Sequence, residues 1–146
     1  MKYTHTNIIA RDWRKLSLFY QKVFQCTPVP PKRDLSGGWV DALCGVTNAH
    51  IQGEHLLLPG YGESGPTLEI FSYNEMADNE KSINTVGFAH IAFAVDDVQA
   101  ALELIKENGG ASVGELVTAT YANGKTGTFA YCRDIEGNII ELQKWE

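Results

Sequence analysis

Phe88-Ala-His-Ile-Ala-Phe-Ala-Val95, followed by Asp96-Asp-Val-Gln-Ala-Ala-Leu-Glu-Leu-Ile105, is the stretch that decides the fold. The alternate residues Ala89, Ile91, Phe93 and Val95 are all apolar, which is the period of a strand with one face on a core. The apolar residues of the second segment are spaced three and four apart, as in an amphipathic helix, and aspartate is favoured just before a helix. The stretch therefore predicts a strand followed by a helix.

The same pattern occurs a second time near the start of the chain. His5 and His90 each lie seven residues before an aspartate that precedes a helical apolar pattern. Two later segments also match, since Thr67-Leu-Glu-Ile-Phe71 and Ile139-Ile-Glu-Leu-Gln143 each place a glutamate among apolar residues. Internal similarity of this kind indicates that the chain is a duplication of one structural unit.

Strand-like runs separated by turn residues follow each predicted helix, so each copy is predicted as βαβββ. The runs cover residues 49–58 and 66–72 in the first copy and 112–119, 126–132 and 138–144 in the second. The predicted fold is α+β, with two βαβββ modules forming a cupped mixed sheet and the helices on its outer face. We expect one domain over residues 1–146, with module one at about 1–73, a linker at about 74–85 and module two at 86–146.

The two copies differ in length. The span from histidine to glutamate is 64 residues in the first copy and 51 in the second. The first copy therefore carries about thirteen extra residues, and we expect them in the segment Pro28 to Val46, which is rich in proline and glycine.

Composition limits the class of protein. The chain has 12 basic and 18 acidic residues, and a net charge of −6 argues against nucleic acid as a partner. No apolar run is long enough to cross a membrane, and the N-terminus lacks the apolar segment of a signal peptide. Cys26, Cys44 and Cys132 are odd in number and share no C-x-x-C spacing, which is typical of reduced thiols. We expect a cytoplasmic protein without a membrane partner.

Strand alternation predicts which side chains share a face with the repeated histidines and glutamates. His5, Glu69, His90 and Glu141 should all point away from the helices. Their neighbours on that face are largely aromatic or apolar, and a buried carboxylate among such residues is costly unless it is paired or bound to a metal. The residues expected to line a substrate pocket there are Tyr3, Asn7, Ile9, Phe71, Tyr73, Phe88, Gln143 and Trp145.

The four repeated residues are candidate metal ligands. Two imidazoles and two carboxylates suit a divalent ion such as Zn, Ni, Co, Mn or Fe. His50 and His55 have no counterpart histidine in the second copy, and we expect them to lie at the periphery of the site. No glycine-rich nucleotide-binding motif occurs in the chain.

The chain resembles the vicinal oxygen chelate superfamily, which includes glyoxalase I, methylmalonyl-CoA epimerase, extradiol dioxygenases and bleomycin and fosfomycin resistance proteins. The resemblance rests on His5-Thr-Asn-Ile-Ile-Ala-Arg-Asp12, on Ala89-His-Ile-Ala-Phe-Ala-Val-Asp-Asp97 and on Arg133-Asp-Ile-Glu-Gly-Asn-Ile-Ile-Glu-Leu142. It implies that His5, Glu69, His90 and Glu141 are the metal ligands, as in glyoxalase I and, with Gln or Glu second, in the epimerases. Ile9 and Tyr73 occupy positions where short bacterial glyoxalase I enzymes hold glutathione with arginine and asparagine, which argues against glutathione.

The resemblance implies a glyoxalase-like lyase or isomerase. Such an enzyme chelates a small oxygenated carbonyl substrate and moves a proton through an enediolate or enolate, with Glu141 or Glu69 as the base. Two alternatives remain open at this point: a drug- or metabolite-binding protein of the resistance type without catalysis, and an Fe(II) extradiol dioxygenase. Homodimers are common in the superfamily, so a homodimer is expected.

Overall fold

The computed structural model describes residues 1–78 and 80–146. The chain divides into two compact units, of which the first is Met1–Asp78 and the second is the part that follows. Each unit contains one four-stranded mixed sheet and has the element order βαβββ, with one additional helix in the first. This confirms the predicted α+β class and the two modules.

Module one builds its sheet in the strand order β1-β4-β3-β2. Strands β1 and β4 are parallel, and the other neighbours are antiparallel. Its elements are β1 (His5–Ile9), α1 (Trp13–Phe24), β2 (Thr27–Ser36), α2 (Gly38–Cys44), β3 (His50–Leu57) and β4 (Thr67–Tyr73).

Module two repeats this topology in the order β5-β8-β7-β6, again with a parallel first pair. Its elements are β5 (His90–Ala94), α3 (Val98–Glu107), β6 (Ala111–Thr120), β7 (Thr126–Arg133) and β8 (Ile139–Trp145).

The two long helices begin where the sequence predicts. The Asp12 carboxylate accepts a hydrogen bond from the backbone N–H of Lys15, and Asp97 accepts one from the N–H of Ala100. Each bond satisfies a backbone N–H of the first helical turn, which has no acceptor within the helix. The hydrogen bond from Lys15 lowers the pKa of Asp12.

Each long helix packs on one face of its own sheet, and the residues predicted for the site lie on the other face. Apolar residues at every second position of the strands pack against the helix. The predicted site residues occupy the intervening positions and face the other way. The fully buried ones are Leu16, Tyr20, Leu56, Leu68 and Ile70 in module one and Ile105, Cys132, Ile140 and Leu142 in module two.

The extra length of module one is only partly where the sequence predicts it. Thr27–Ser36 forms β2, so much of the segment Pro28 to Val46 is a strand and not an insertion. The longer connection is residues 37–49, which contain α2, whereas residues 121–125 join the corresponding strands of module two. The strand was missed because its prolines suggest a loop, although an edge strand such as β2 tolerates proline.

The boundary between the two units lies within the predicted linker, residues 74–85, of which residue 79 is outside the described residues. In the described part of the chain, no helix has both the length and the apolar character needed to cross a membrane.

Candidate functional site

In module one, the parallel pair of β1 and β4 brings a histidine to a glutamate. The register places Asn7 opposite Glu69. His5 lies two residues before Asn7 and therefore on the same face of the sheet. His5 Nε2 lies 3.2 Å from Glu69 Oε2, and the Asn7 amide donates a hydrogen bond of 3.3 Å to the same oxygen. The Glu69 side chain is only 15% exposed, so these contacts hold a largely buried carboxylate.

Module two repeats the pair at the equivalent register. Ala92 lies opposite Glu141 on the parallel pair of β5 and β8. His90 Nε2 lies 2.9 Å from Glu141 Oε2, and the Glu141 side chain is 19% exposed. Within each module, therefore, the predicted histidine and glutamate are in contact.

A third polar residue contacts Glu69. His55 lies directly opposite Glu69 on the antiparallel pair of β3 and β4, and its Nε2 lies 3.0 Å from Glu69 Oε1. Its other ring nitrogen lies 3.3 Å from the hydroxyl of Thr67. The expectation that His55 is peripheral is therefore wrong.

His50 shows that strand parity separates the two histidines of β3. It lies 2.6 Å from Asp34 Oδ1, and both side chains are substantially exposed. The contacts to His50 and Gln52 lower the pKa of Asp34. His50 thus forms a surface pair, and the expectation of a peripheral position agrees with its contacts.

The modules differ at the position of His55. Tyr131 lies opposite Glu141 in the register of β7 and β8, and its ring centroid is 5.2 Å from that of His90. Glu69 consequently contacts two imidazoles and an amide, whereas Glu141 contacts one imidazole, that of His90, among the described residues. Burial lowers the pKa of His55, and the nearby Glu69 opposes this effect.

The distances within each pair fit two ligands of one metal ion. Two donor atoms that each lie about 2.1 Å from an ion, at a right angle, are about 3.0 Å apart. The same spacing serves a hydrogen bond between imidazole and carboxylate. No group of three or more His, Cys, Asp or Glu side chains among residues 1–78 and 80–146 is arranged to hold an ion. In module one this follows from His5 and His55 facing different oxygens of Glu69.

Module one contains a cavity of about 340 Å³ beside its His and Glu residues. Three residues predicted for the pocket line it, namely Asn7, Phe71 and Tyr73, whereas Tyr3 and Ile9 do not and are 63% and 40% exposed. Burial raises the pKa of Tyr73. The other lining residues are Arg33, Leu35, Trp39, Val40, Leu43, Cys44, Ile51, His55 and Glu69.

On the equivalent face of module two, aromatic side chains pack together near the end of β8. The ring of Trp145 lies 5.1 Å from that of Phe129 and 5.3 Å from that of Tyr121. The indole N–H of Trp145 donates to the Gln143 side chain. Phe88, the remaining residue predicted for the pocket, is fully exposed.

Residues 2–142 match the family described as the Glyoxalase/Bleomycin resistance protein/Dioxygenase superfamily. The chain belongs to this superfamily. The resemblance drawn from the sequence is thereby confirmed. None of the curated protein sequences matches the chain.

Solved structures of several proteins share the fold. The glyoxalase family protein from Bacillus cereus has a TM-score of 0.75 and 19% identity, over 99% of this chain and 93% of that one. A glyoxylase/bleomycin resistance protein/dioxygenase domain from Frankia sp. has a TM-score of 0.63 and 15% identity, over 100% and 98%. FosX, a fosfomycin resistance protein from Listeria monocytogenes crystallised with Mn(II) and sulfate, has a TM-score of 0.58 and 18% identity, over 98% and 91%. At these identities the likeness is one of fold.

Proposed function

We propose that the chain is a divalent-metal-dependent enzyme of the lyase or isomerase type that moves a proton next to a carbonyl group of a small substrate. The metal ligands are His5, Glu69, His90 and Glu141. The observation that carries the proposal is the recurrence of one His–Glu pair at the same strand register in both modules, with 3.2 Å and 2.9 Å between the facing atoms.

A bound divalent ion supplies Lewis-acid polarisation of a substrate carbonyl, which acidifies the neighbouring C–H bond. The protein supplies the other functions. The two glutamate carboxylates together carry two negative charges, which balance the two positive charges of the ion. The imidazoles of His5 and His90 add no negative charge to this sum. Both glutamate side chains are partly exposed, which leaves them accessible to a small molecule.

Glu141 is the better base of the two glutamates. Glu69 has both carboxylate oxygens engaged, by His5 and Asn7 on one side and by His55 on the other. His90 contacts one oxygen of Glu141. Because a base must move and exchange a proton, the carboxylate with fewer contacts suits this role, and Glu69 is suited to remain a ligand.

Replacement of each glutamate by glutamine tests this assignment. We expect Glu69→Gln to lower metal content more than Glu141→Gln does. Glu141→Gln should instead abolish exchange of the substrate C–H proton with deuterated water, measured by NMR on candidate hydroxy- and dicarbonyl compounds. Unchanged metal content and exchange in both variants would refute the proposal.

Binding without catalysis is the second candidate function, and the cavity of module one favours it because its wall is largely apolar. A binding protein of this kind would retain its ligand after treatment with a chelator and would show no proton exchange. The same exchange measurement therefore separates the two functions.

We also propose a cytoplasmic location and a homodimer. The three cysteines are free, and Cys26 and Cys132 are buried, as is usual for proteins of reducing compartments. Light scattering after size exclusion should give twice the mass of 16.1 kDa, and a monomer would exclude the dimer.

A further inference from the structure

The cavity of module one is lined partly by α2, which has no counterpart helix among the described residues of module two. Helix α2 supplies Trp39, Val40 and Leu43, which lie in the connection that is longer in module one, and the end of β2 supplies Leu35. Trp39 is 59% exposed and Leu43 is 77% exposed. Large apolar side chains that are exposed and also line a cavity are suited to contact a bound molecule.

Arg33 supplies a positive charge to this apolar cavity. Its guanidinium donates a hydrogen bond to the carbonyl of Pro31. None of the carboxylates in the described part of the chain lies at ion-pair distance from it. A partly buried guanidinium has further donors in a planar fork, which fits carboxylate, sulfonate and phosphonate groups.

The strand register identifies the counterparts of these residues in module two. Arg33 lies opposite Gly53, two residues from the position that faces Glu69. In module two, Tyr131 faces Glu141, and Phe129 lies two residues before Tyr131. Val117 lies opposite Phe129 and is therefore the counterpart of Arg33. Module two therefore has an apolar residue in place of the cation and a phenyl ring in place of the glycine.

The absence of a side chain at Gly53 leaves room for Phe71, which lines the cavity. A Cβ at this position would lie 2.4 Å from Cδ1 of Phe71, so only glycine lets the ring of Phe71 pack there. In module two the ring of Phe129 fills the corresponding space and packs against Trp145 at 5.1 Å. The position that glycine holds beside the cavity of module one is therefore occupied by an aromatic residue in module two.

We propose that this cavity binds a small organic anion with an apolar body. Arg33 binds the anionic group, and Trp39 and Leu43 cover the apolar body. The far end of the molecule reaches Glu69, and only this last statement rests on the proposed function. On the proposed function, the substrates of the enzyme are amphipathic organic anions of this kind.

The spacing within the sheet is consistent with such a molecule. Arg33 and Glu69 are two strands and two residues apart, which corresponds to about 12 Å between their Cα atoms at about 4.8 Å per strand and 3.4 Å per residue. Both side chains line the same cavity, so one small molecule bound there can contact both.

Two fluorescent probes with the same aromatic body test the proposal. 1-Anilinonaphthalene-8-sulfonate carries an anionic group, and N-phenyl-1-naphthylamine does not. Both are titrated into chelator-treated protein, so the result does not depend on the metal. Lys32→Gln is the matched control for Arg33→Gln, because Lys32 lies over the ring of Trp13 and does not line the cavity.

We expect Arg33→Gln to raise the dissociation constant of the sulfonate about tenfold, the loss of one charge-assisted contact, and to leave the neutral probe within about twofold. The dissociation constant of the sulfonate for Arg33→Lys should lie between those of the unaltered protein and Arg33→Gln. Lysine keeps the positive charge but lacks the planar, forked donors of the guanidinium. Leu43→Ser should weaken both probes by about threefold, since it removes apolar contact at an exposed position. Lys32→Gln should change neither.

Three results would overturn the inference: no binding of the sulfonate to the unaltered protein, equal effects of Arg33→Gln on both probes, or no effect of Leu43→Ser. A separate result would refute the metal proposal: the glutamate variants would keep the same metal content as the unaltered protein.

Discussion

Replacement of His55 by phenylalanine probes the asymmetry between the two glutamates. His55 holds Glu69 Oε1 at 3.0 Å, and its ring lies 5.9 Å from that of Phe71. Phenylalanine keeps an aromatic ring at this place and removes both nitrogens. The variant therefore removes the support of Glu69 with little change in packing.

The expected effect is a roughly tenfold weaker affinity for a divalent metal. Removal of a residue that orients a metal ligand typically costs about 10- to 100-fold in affinity. We expect the lower end because Glu69 keeps His5 and Asn7 as partners and is 15% exposed, so water can replace part of the lost contact. Tenfold corresponds to about 1.4 kcal/mol.

Competition with a chromophoric chelator measures this affinity for Zn²⁺ and Mn²⁺. Tyr131→Phe is the matched control, since Tyr131 occupies the counterpart position opposite Glu141, and its affinity should stay within about threefold of the unaltered protein. Equal or tighter metal binding by His55→Phe would show that His55 does not support Glu69 as a ligand.

Three further predictions concern the scaffold. Asp97→Ala removes the cap of α3 and should lower the free energy of unfolding by about 1 kcal/mol in urea titrations. Gly53→Ala should lower it by about 1–3 kcal/mol, because the added methyl group overlaps backbone and ring atoms. Burial raises the pKa of two thiols, Cys26 and Cys132, to about 12, so they stay protonated at pH 8 and a disulfide reagent should modify Cys44 first.

Each of these predictions has a control. Asp96→Ala alters a neighbouring exposed carboxylate that does not cap the helix, and equal destabilisation would contradict the capping argument. A Cβ at Gly38 would meet open space, so Gly38→Ala should be tolerated, and a loss equal to that of Gly53→Ala would argue against the clash. Rapid modification of all three thiols in the folded protein would contradict the burial of Cys26 and Cys132, whereas unfolding should expose them all.

Local signals in the sequence were sufficient to predict the modules. Alternation around His90 and helical spacing after Asp97 each depend on neighbouring residues only, and both copies contain them. The parity of each strand also placed the repeated histidines and glutamates away from the helices. Their contact within each module follows from the parallel pairing of the first and last strands.

The role of His55 could not be predicted in this way. Its position opposite Glu69 depends on the register between β3 and β4, which is set by the connection of residues 58–66. A shift of one residue would have turned His55 to the other face. The signal that could have found it is its odd spacing from His50, which places the two histidines on opposite faces of one strand.

The cavity of module one could not be predicted from the sequence either. Gly53 lies opposite both Arg33 and Phe71, which line the cavity, and such cross-strand relations appear only once the register is known. The prolines of β2 concealed the strand that carries Arg33. Strand parity alone placed Tyr3 and Ile9 in the pocket, although they do not line the cavity of module one.

The metal stoichiometry of chelator-treated protein, measured by isothermal titration calorimetry, tests the central claim most directly. One divalent ion should bind per chain, and His5→Ala and His90→Ala should each abolish this binding, because the proposed site takes a ligand from each of these histidines. Full binding that survives either substitution, or two independent ions per chain of which one remains in each variant, would contradict it.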